Sequence, residues 1–340
     1  MNTVTEAKSD VSAGSSQKVS LRDLREPVKK ELDEFRVFFR SELKTNVFLL
    51  DQIIRYLMKM KGKELRPILV LYAAKLCGDI NERTFRAATM IELLHTATLI
   101  HDDVVDDAEQ RRGMFSINQV WKNKASVLLG DYLLAKGLLV SLDADEFQLL
   151  KIMSVAVKAM SEGELRQLKA AKLLNMTEEK YFEIIRDKTA SLLAACCESG
   201  ARSVTDDPET LRRMHDIGLN MGIAFQIRDD VFDYGPADVG KPIGNDIRER
   251  KITLPFIYTL GKLSVFERRK WKKKFRNKNK TAAEVDEIID FVRESGGLDY
   301  ATVQMEKYSH RALELLSEFP ESPERTQMEV LSRYITTRKK

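Results

Sequence analysis

Residues 85–106 read FRAATMIELLHTATLIHDDVVD, an apolar run from Phe85 to Ile100 that ends in His101-Asp102-Asp103-Val104-Val105-Asp106. Apolar side chains at three- and four-residue spacing mark one buried face of a helix. The helix so predicted ends in carboxylates at i, i+1 and i+4. The first and last stand one above the other, and the middle one lies about 100° round the axis. A helix C-terminus already carries partial negative charge from its unsatisfied carbonyls. Asp102, Asp103, Asp106 and Asp107 add four carboxylates there, so this end asks for a cation. A lone acidic cluster is usually a solvated helix face. Here the form recurs after a second apolar run, in Arg228-Asp229-Asp230-Val231-Phe232-Asp233.

The same periodicity continues from Leu21 to Ile335 without strand alternation or tandem repeat. Gly and Pro together supply 24 of 340 residues, about 7% against a usual value near 12%. Few breakers favour long helices over a turn-rich β architecture, so the reading is all-α. Helix starts are marked by Asn81, Thr177 and the capping-box pattern Thr281-Ala282-Ala283-Glu284; stops are marked by Gly78, Gly113, Gly235-Pro236 and Gly296-Gly297. No linker composition divides the chain. Residues 1–19 are expected to be a disordered tail and 20–340 a single-domain helical bundle with a central active-site cavity. The two acidic helices then face each other across its interior.

With 56 basic and 52 acidic residues, the net charge of +4 does not suggest a nucleic-acid binder. Cys77, Cys196 and Cys197 lack metal-ligand spacing and an even disulfide framework, which suits a reducing compartment and buried apolar roles. Residues 1–18 are polar and Ser-rich, unlike a secretory signal. No apolar stretch is read as approaching the ~20 residues that span a bilayer, so a cytoplasmic location is expected. The segment 267–280 carries nine Lys and Arg residues. It is read first as a solvated helix end and loop, and otherwise as a contact for an anionic membrane surface or another partner, at most peripheral.

With no Cys cluster and four histidines, all-oxygen ligands point to Mg²⁺, with Mn²⁺ as the substitute. Mg²⁺ keeps several waters and bridges carboxylates to substrate phosphates. Nearby cations support a diphosphate site: Arg111 and Arg112 after the first cluster, Lys241 and Lys251 after the second, and Lys63 and Arg66 in Gly62-Lys63-Glu64-Leu65-Arg66-Pro67. There is no GxxxxGK[ST] or GxGxxG phosphate loop. The flanking helices present Met90, Leu93, Leu94, Ala97, Thr98 and Leu99, and Ile217, Met221, Ala224 and Phe225. These are ordinary core residues by type, placed where they could also wall a tunnel for an apolar tail.

The order of motifs resembles the trans-isoprenyl diphosphate synthases of the polyprenyl synthetase family, of medium- or long-chain type. The resemblance spans residues 20–340 through Gly62–Pro67, Glu92-Leu93-Leu94-His95-Thr96, Arg111-Arg112-Gly113, Gly130-Asp131-Tyr132, Lys188-Thr189-Ala190, Phe225–Asp230 and Gly240–Asp246. Lys61 and Glu64 depart from the family's pattern, where a glycine and a basic residue are usual.

The resemblance implies condensation of isopentenyl diphosphate with an allylic diphosphate to an all-trans chain, of the kind used for a respiratory quinone. It assigns the metal to Asp102, Asp106 and Asp229, with Asp103, Asp230 and Asp233 acting more weakly behind them. It assigns the allylic diphosphate to Arg111, Lys188, Thr189, Gln226, Lys241 and Lys251, and isopentenyl diphosphate to Lys63, Arg66, His95 and Arg112. His101 is expected to make a neutral contact near the metal.

Short-chain members of the family often carry bulk just before the first cluster. Ala97 and Thr98, five and four residues before Asp102, are small and favour a longer product. A homodimer is also implied. A short-chain synthase, a terpene cyclase and a non-catalytic regulatory subunit are the alternatives. A cyclase needs neither the second cluster with Gly240-Lys241 nor an isopentenyl diphosphate site, and a regulatory subunit would be expected to lose site residues retained here.

Overall fold

A computed structural model of the chain describes residues 19–60, 62–111, 113–173, 175–235 and 243–337. The tail expected over residues 1–19 falls almost wholly outside these residues, as do Lys61, Arg112 and Lys241. The helices run in the order α1 (Leu21–Arg25), α2 (Lys29–Glu42), α3 (Phe48–Lys59), α4 (Leu65–Cys77), α5 (Glu82–Val105), α6 (Ile117–Leu142) and α7 (Phe147–Leu173). They continue as α8 (Glu178–Ile185), a π-helical turn (Arg186–Ala190), α9 (Ser191–Arg202), α10 (Pro208–Asp233), α11 (Asn245–Arg248) and α12 (Leu254–Gly261). The last four are α13 (Val265–Arg276), α14 (Ala282–Glu294), α15 (Gly297–Ser317) and α16 (Pro323–Thr337).

Local chemistry sets the ends of these helices. The Asn81 side chain accepts from the Arg83 N–H, and Thr177 accepts from that of Lys180. Thr281 and Glu284 form the expected reciprocal box. One small departure from all-helix is a ribbon of β1 (Gln110–Arg111) paired antiparallel with β2 (Met114–Phe115). Its two-residue connection includes Gly113 at φ 77°, a left-handed value that glycine adopts without a Cβ clash.

The core forms around α5, α9 and α10, with α4 laid on α9, α6 along α5 and α15 along α10. Met90 and Leu94 of α5, Cys196 and Cys197 of α9, and Ile217 and Met221 of α10 share one buried cluster. These apolar residues pack against one another, so Met90, Leu94, Ile217 and Met221 take the ordinary core role that their type suggests. Leu93 and Ala97 turn the other way, onto Leu129 and Leu133 of α6. Burial pushes the thiols of Cys77 and Cys196 up to about 12, in keeping with unreactive packing roles.

The expectation of no bilayer-length apolar stretch also needs correction: α6 is long and apolar enough to cross a membrane by length and composition. The helix is instead laid along α5, burying Leu129 and Leu133 while Val120, Val127, Leu128, Leu139 and Leu142 stay exposed. Period alone could not separate these two environments.

Two glycines let helices close on the π-helical turn. A Cβ on Gly163 of α7 would lie 2.8 Å from the Lys188 nitrogen, and one on Gly222 of α10 would lie 2.5 Å from the Ala190 Cα. Neither obstacle is a flexible side-chain end, so the backbone would have to move. Gly222→Ala should therefore cost about 1–3 kcal/mol through overpacking. A thermal melting midpoint equal to the native one would contradict this account of the packing.

Candidate active site

The first acidic cluster occupies the last turn of α5, whose C-cap is Asp106, and the second closes α10. Within each cluster the carboxylates are sorted by helix face. Asp103, at 3% exposure, receives the Nε of Arg111 at 2.8 Å, and the Nη2 of Arg111 reaches the same oxygen. The β-ribbon returns Arg111 to that position. Asp230, also at 3%, accepts from the Tyr181 hydroxyl at 2.5 Å and from Gln226 Nε2 at 2.8 Å. Asp102 and Asp106 are exposed and Asp229 is half-buried. Three carboxylates thus remain accessible, while Asp103 and Asp230, the i+1 neighbours of Asp102 and Asp229, are bound within the protein.

Asp233 does different work: its two oxygens accept the backbone N–H groups of Asn245 and Asp246 at 3.0 and 2.9 Å, capping α11. Asp229 is held by Nη2 of Arg228 at 2.5 Å. The Arg228 guanidinium lies 4.7 Å from the Phe225 ring centre and 5.6 Å from that of Phe232, and its Nη1 donates to the Ile335 carbonyl of α16. His101 is turned from the acidic face toward α6. A Cβ on Gly130 would collide with its ring, and its Nε2 lies 3.4 Å from Asp131.

Like charge is concentrated between the clusters. Burial, then Glu164, raises the Asp102 carboxyl above its usual range, although the residue as a whole is exposed. Burial, then Asp246, pushes Asp230 up to about 8, and burial with Asp233 pushes Asp246 up to about 6. Lys251 lies in the fields of both Asp246 and Asp106, which brings the two clusters to one site. Burial opposes its charge, but Glu249 at 2.5 Å and these aspartates more than offset it, so its ammonium is held above the ordinary lysine range.

Lys188 and Thr189 project from the π-helical turn, a feature frequent at functional sites. Lys188 pairs with Glu164 and donates to Gln167 at 2.8 Å, and Thr189 donates to Gln226 at 2.8 Å. Gln226 therefore links Thr189 to Asp230. Glu164, Gln167, Asp246 and Tyr181 were missed as site residues from sequence. Asp246 stood inside a recognised motif, whereas nothing local marked Glu164.

The second cationic group lies at the start of α4. Lys63 is exposed, Arg66 is half-buried, and Arg66 and Glu92 both act electrostatically on Cys196. His95, one turn beyond Glu92 on α5, is buried. Glu64 sits at φ 54° and its carboxylate accepts from Arg25 at 3.0 Å and from Arg36 at 2.6 and 2.8 Å. The departure noted in this loop is thus an anchor that ties it to α1 and α2. Lys241 and Arg112, expected to join these groups, lie outside the described residues.

The chain belongs to the polyprenyl synthetase family, whose pattern it matches over residues 47–292. It is 35% identical over 315 residues to an all-trans-nonaprenyl-diphosphate synthase (geranyl-diphosphate specific) of Rhodobacter capsulatus, covering 92% of this chain and 96% of that one. Its fold matches a decaprenyl diphosphate synthase from Rhodobacter capsulatus with a TM-score of 0.88 and 32% identity, over 93% of this chain and 98% of that one. A polyprenyl synthase from Caulobacter crescentus CB15, complexed with calcium and isoprenyl diphosphate, gives a TM-score of 0.86 at 32% identity, over 95% and 99% of the two chains.

The protonation of Asp230 has a measurable sign. In metal-free protein the folded chain holds a proton up to about pH 8, whereas an unfolded Asp releases it near a pKa of about 3.9. The folded state therefore binds more protons across that interval, and its stability falls as pH rises. Asp230→Asn should flatten this fall in urea unfolding between the two values. An unchanged slope would mean that the native carboxyl is already ionised.

Proposed function

We propose that this chain, a prenyltransferase by family, extends an allylic diphosphate with isopentenyl diphosphate to a medium- or long-chain all-trans polyprenyl diphosphate. The sorting of carboxylates carries the reading: Asp102, Asp106 and Asp229 are accessible, whereas Asp103 and Asp230 are bound inside. The accessible set fits a hard divalent cation, Mg²⁺ with Mn²⁺ as substitute, because it offers oxygen donors alone, at a place where burial, then Glu164, already raises Asp102. Among the described residues no three such side chains close on one cation position, so diphosphate oxygens and water would complete the coordination. When bound, the cation offsets the negative charge of the diphosphate.

The protein's own groups then act on both substrates. Lys188, Lys251 and Arg111, with Thr189, Gln226 and Lys241, hold the allylic diphosphate. Its arrival exchanges the Glu164 and Glu249 partners of the two lysines for phosphate oxygens. Fixed positive charge stabilises the diphosphate as it departs, so the allylic C–O bond breaks with its electron pair leaving on oxygen. Lys63, Arg66, His95 and Arg112 hold isopentenyl diphosphate with its double bond toward the resulting cation. The new C–C bond forms, and loss of a proton to the released diphosphate restores an allylic product. Asp233, committed to capping α11, is not the base.

Chain length is assigned to the stripe beneath Asp102. Thr98 lies one turn below it on the same face and is half-buried, whereas Ala97 faces the α6 seam. The nonaprenyl and decaprenyl relatives support a long product. A homodimer is proposed as well, supported by the exposed apolar row on α6.

With Mg²⁺, isopentenyl diphosphate and a series of allylic primers, the purified chain should release products longer than geranylgeranyl diphosphate. Termination at that length would establish the short-chain alternative, and no elongation would establish the regulatory-subunit one. Thr98→Phe should shorten the product distribution. Ala97→Phe should instead cost about 1–3 kcal/mol of stability against Leu129 and Leu133. Asp102→Ala should abolish metal-dependent turnover while leaving the circular dichroism helical; retained turnover would refute its assignment.

A further inference from the structure

Helix α13 has two faces with opposite fates. Inward, Phe275 is fully buried and stacks on Phe256 at 4.5 Å, and Trp271 stacks on Phe291 at 3.7 Å. The flanking cations are used by the protein: Lys274 pairs with Glu287, and Arg268 donates to the carbonyls of Leu260 and Leu263 at 2.9 and 3.1 Å. Outward, Phe266, Arg269, Lys270 and Lys273 stand at i, i+3, i+4 and i+7, which is a single helix face. All four are exposed, with Phe266 at 81% and its neighbour Val265 at 65%.

Arg276, the last residue of the helix, and Lys278 beyond it extend the exposed positive charge. The acidic residue of α13, Glu267, is turned to its N-terminus, where it accepts from the Ser264 hydroxyl at 2.6 Å. The whole chain carries a charge of +4, so the patch is a local feature. Catalysis and packing leave this face unexplained.

We propose that the outward face of α13 docks the protein on an anionic membrane surface. The three cations are complementary to acidic lipid headgroups, and Phe266, at the N-terminal end of their row beside exposed Val265, is placed to enter the boundary between headgroups and acyl chains. An acidic protein partner would use the charges, but an exposed apolar pair, Val265 and Phe266, at the head of a cationic row fits a lipid interface better. The inward stacking means that the helix docks as part of the folded bundle, without leaving it. Docking would set the enzyme against the phase into which an apolar polyprenyl product partitions. That benefit rests on the proposed product length, whereas binding itself can be measured without turnover.

The test is co-sedimentation of the full chain with phosphatidylcholine vesicles, with and without phosphatidylglycerol. Binding is expected to the anionic vesicles and to weaken with added salt. Neutralising three cations in Arg269→Gln/Lys270→Gln/Lys273→Gln should lower the partition coefficient by roughly a hundredfold, with turnover of soluble substrates unchanged. Phe266→Ser should weaken binding while preserving its salt dependence. Equal affinity for both vesicle types, or a triple variant that binds as the native chain does, would overturn the proposal. Undiminished binding by Phe266→Ser would overturn the ring's insertion and point to charge recognition of the kind an acidic protein would share.

Discussion

Repulsion between carboxylates brought together from two helix ends is the constraint on which this site depends. Each cluster sits where a helix already points partial negative charge. The protein answers by dividing the labour: Arg111 binds Asp103, Tyr181 and Gln226 bind Asp230, and Asp233 caps α11. Asp102, Asp106 and Asp229 remain accessible. Leaving negative charge accessible is destabilising in isolation, and it is also what gives a cation–diphosphate complex a reason to bind. Lys251, in the fields of Asp246 and Asp106, ties the halves electrostatically.

The cationic groups are positioned with equal specificity. The π-helical turn that carries Lys188 and Thr189 is gripped between Gly163 and Gly222, where any Cβ would meet the opposing backbone or Ala190. Close packing thereby becomes electrostatic precision, because Lys188 is delivered beside Glu164, which acts on Asp102. Arg228 performs a related task at the second cluster. It spans Asp229 and the Ile335 carbonyl, so α16 and the acidic end of α10 share one guanidinium.

Much of this was legible in the chain. The caps at Asn81, Thr177 and Thr281 appear as read, because a cap is a contact between residues two or three positions apart. The two clusters and their i, i+1, i+4 arrangement were equally plain, since helical geometry fixes angular spacing. The β-ribbon was missed because two residues per strand are too few for a period-two pattern to show. The core role of Met90, Leu94, Ile217 and Met221 could not be separated from a tunnel wall by sequence, because an apolar residue reads alike whether it meets a substrate or another helix.

The sequence by itself determined the all-α class, the acidic helix ends, the cation-rich motifs and the family they resemble, all carried by short-range spacing. Tertiary structure decided which carboxylates of each cluster stay accessible to solvent and which are bound inside. It also placed Glu164 beside Asp102, made Glu64 an anchor for Arg25 and Arg36, and turned Ala97 toward α6 while Thr98 stayed below Asp102. Those outcomes depend on how separate helices rotate and approach one another. That information is distributed over the whole core and is absent from any single helical period.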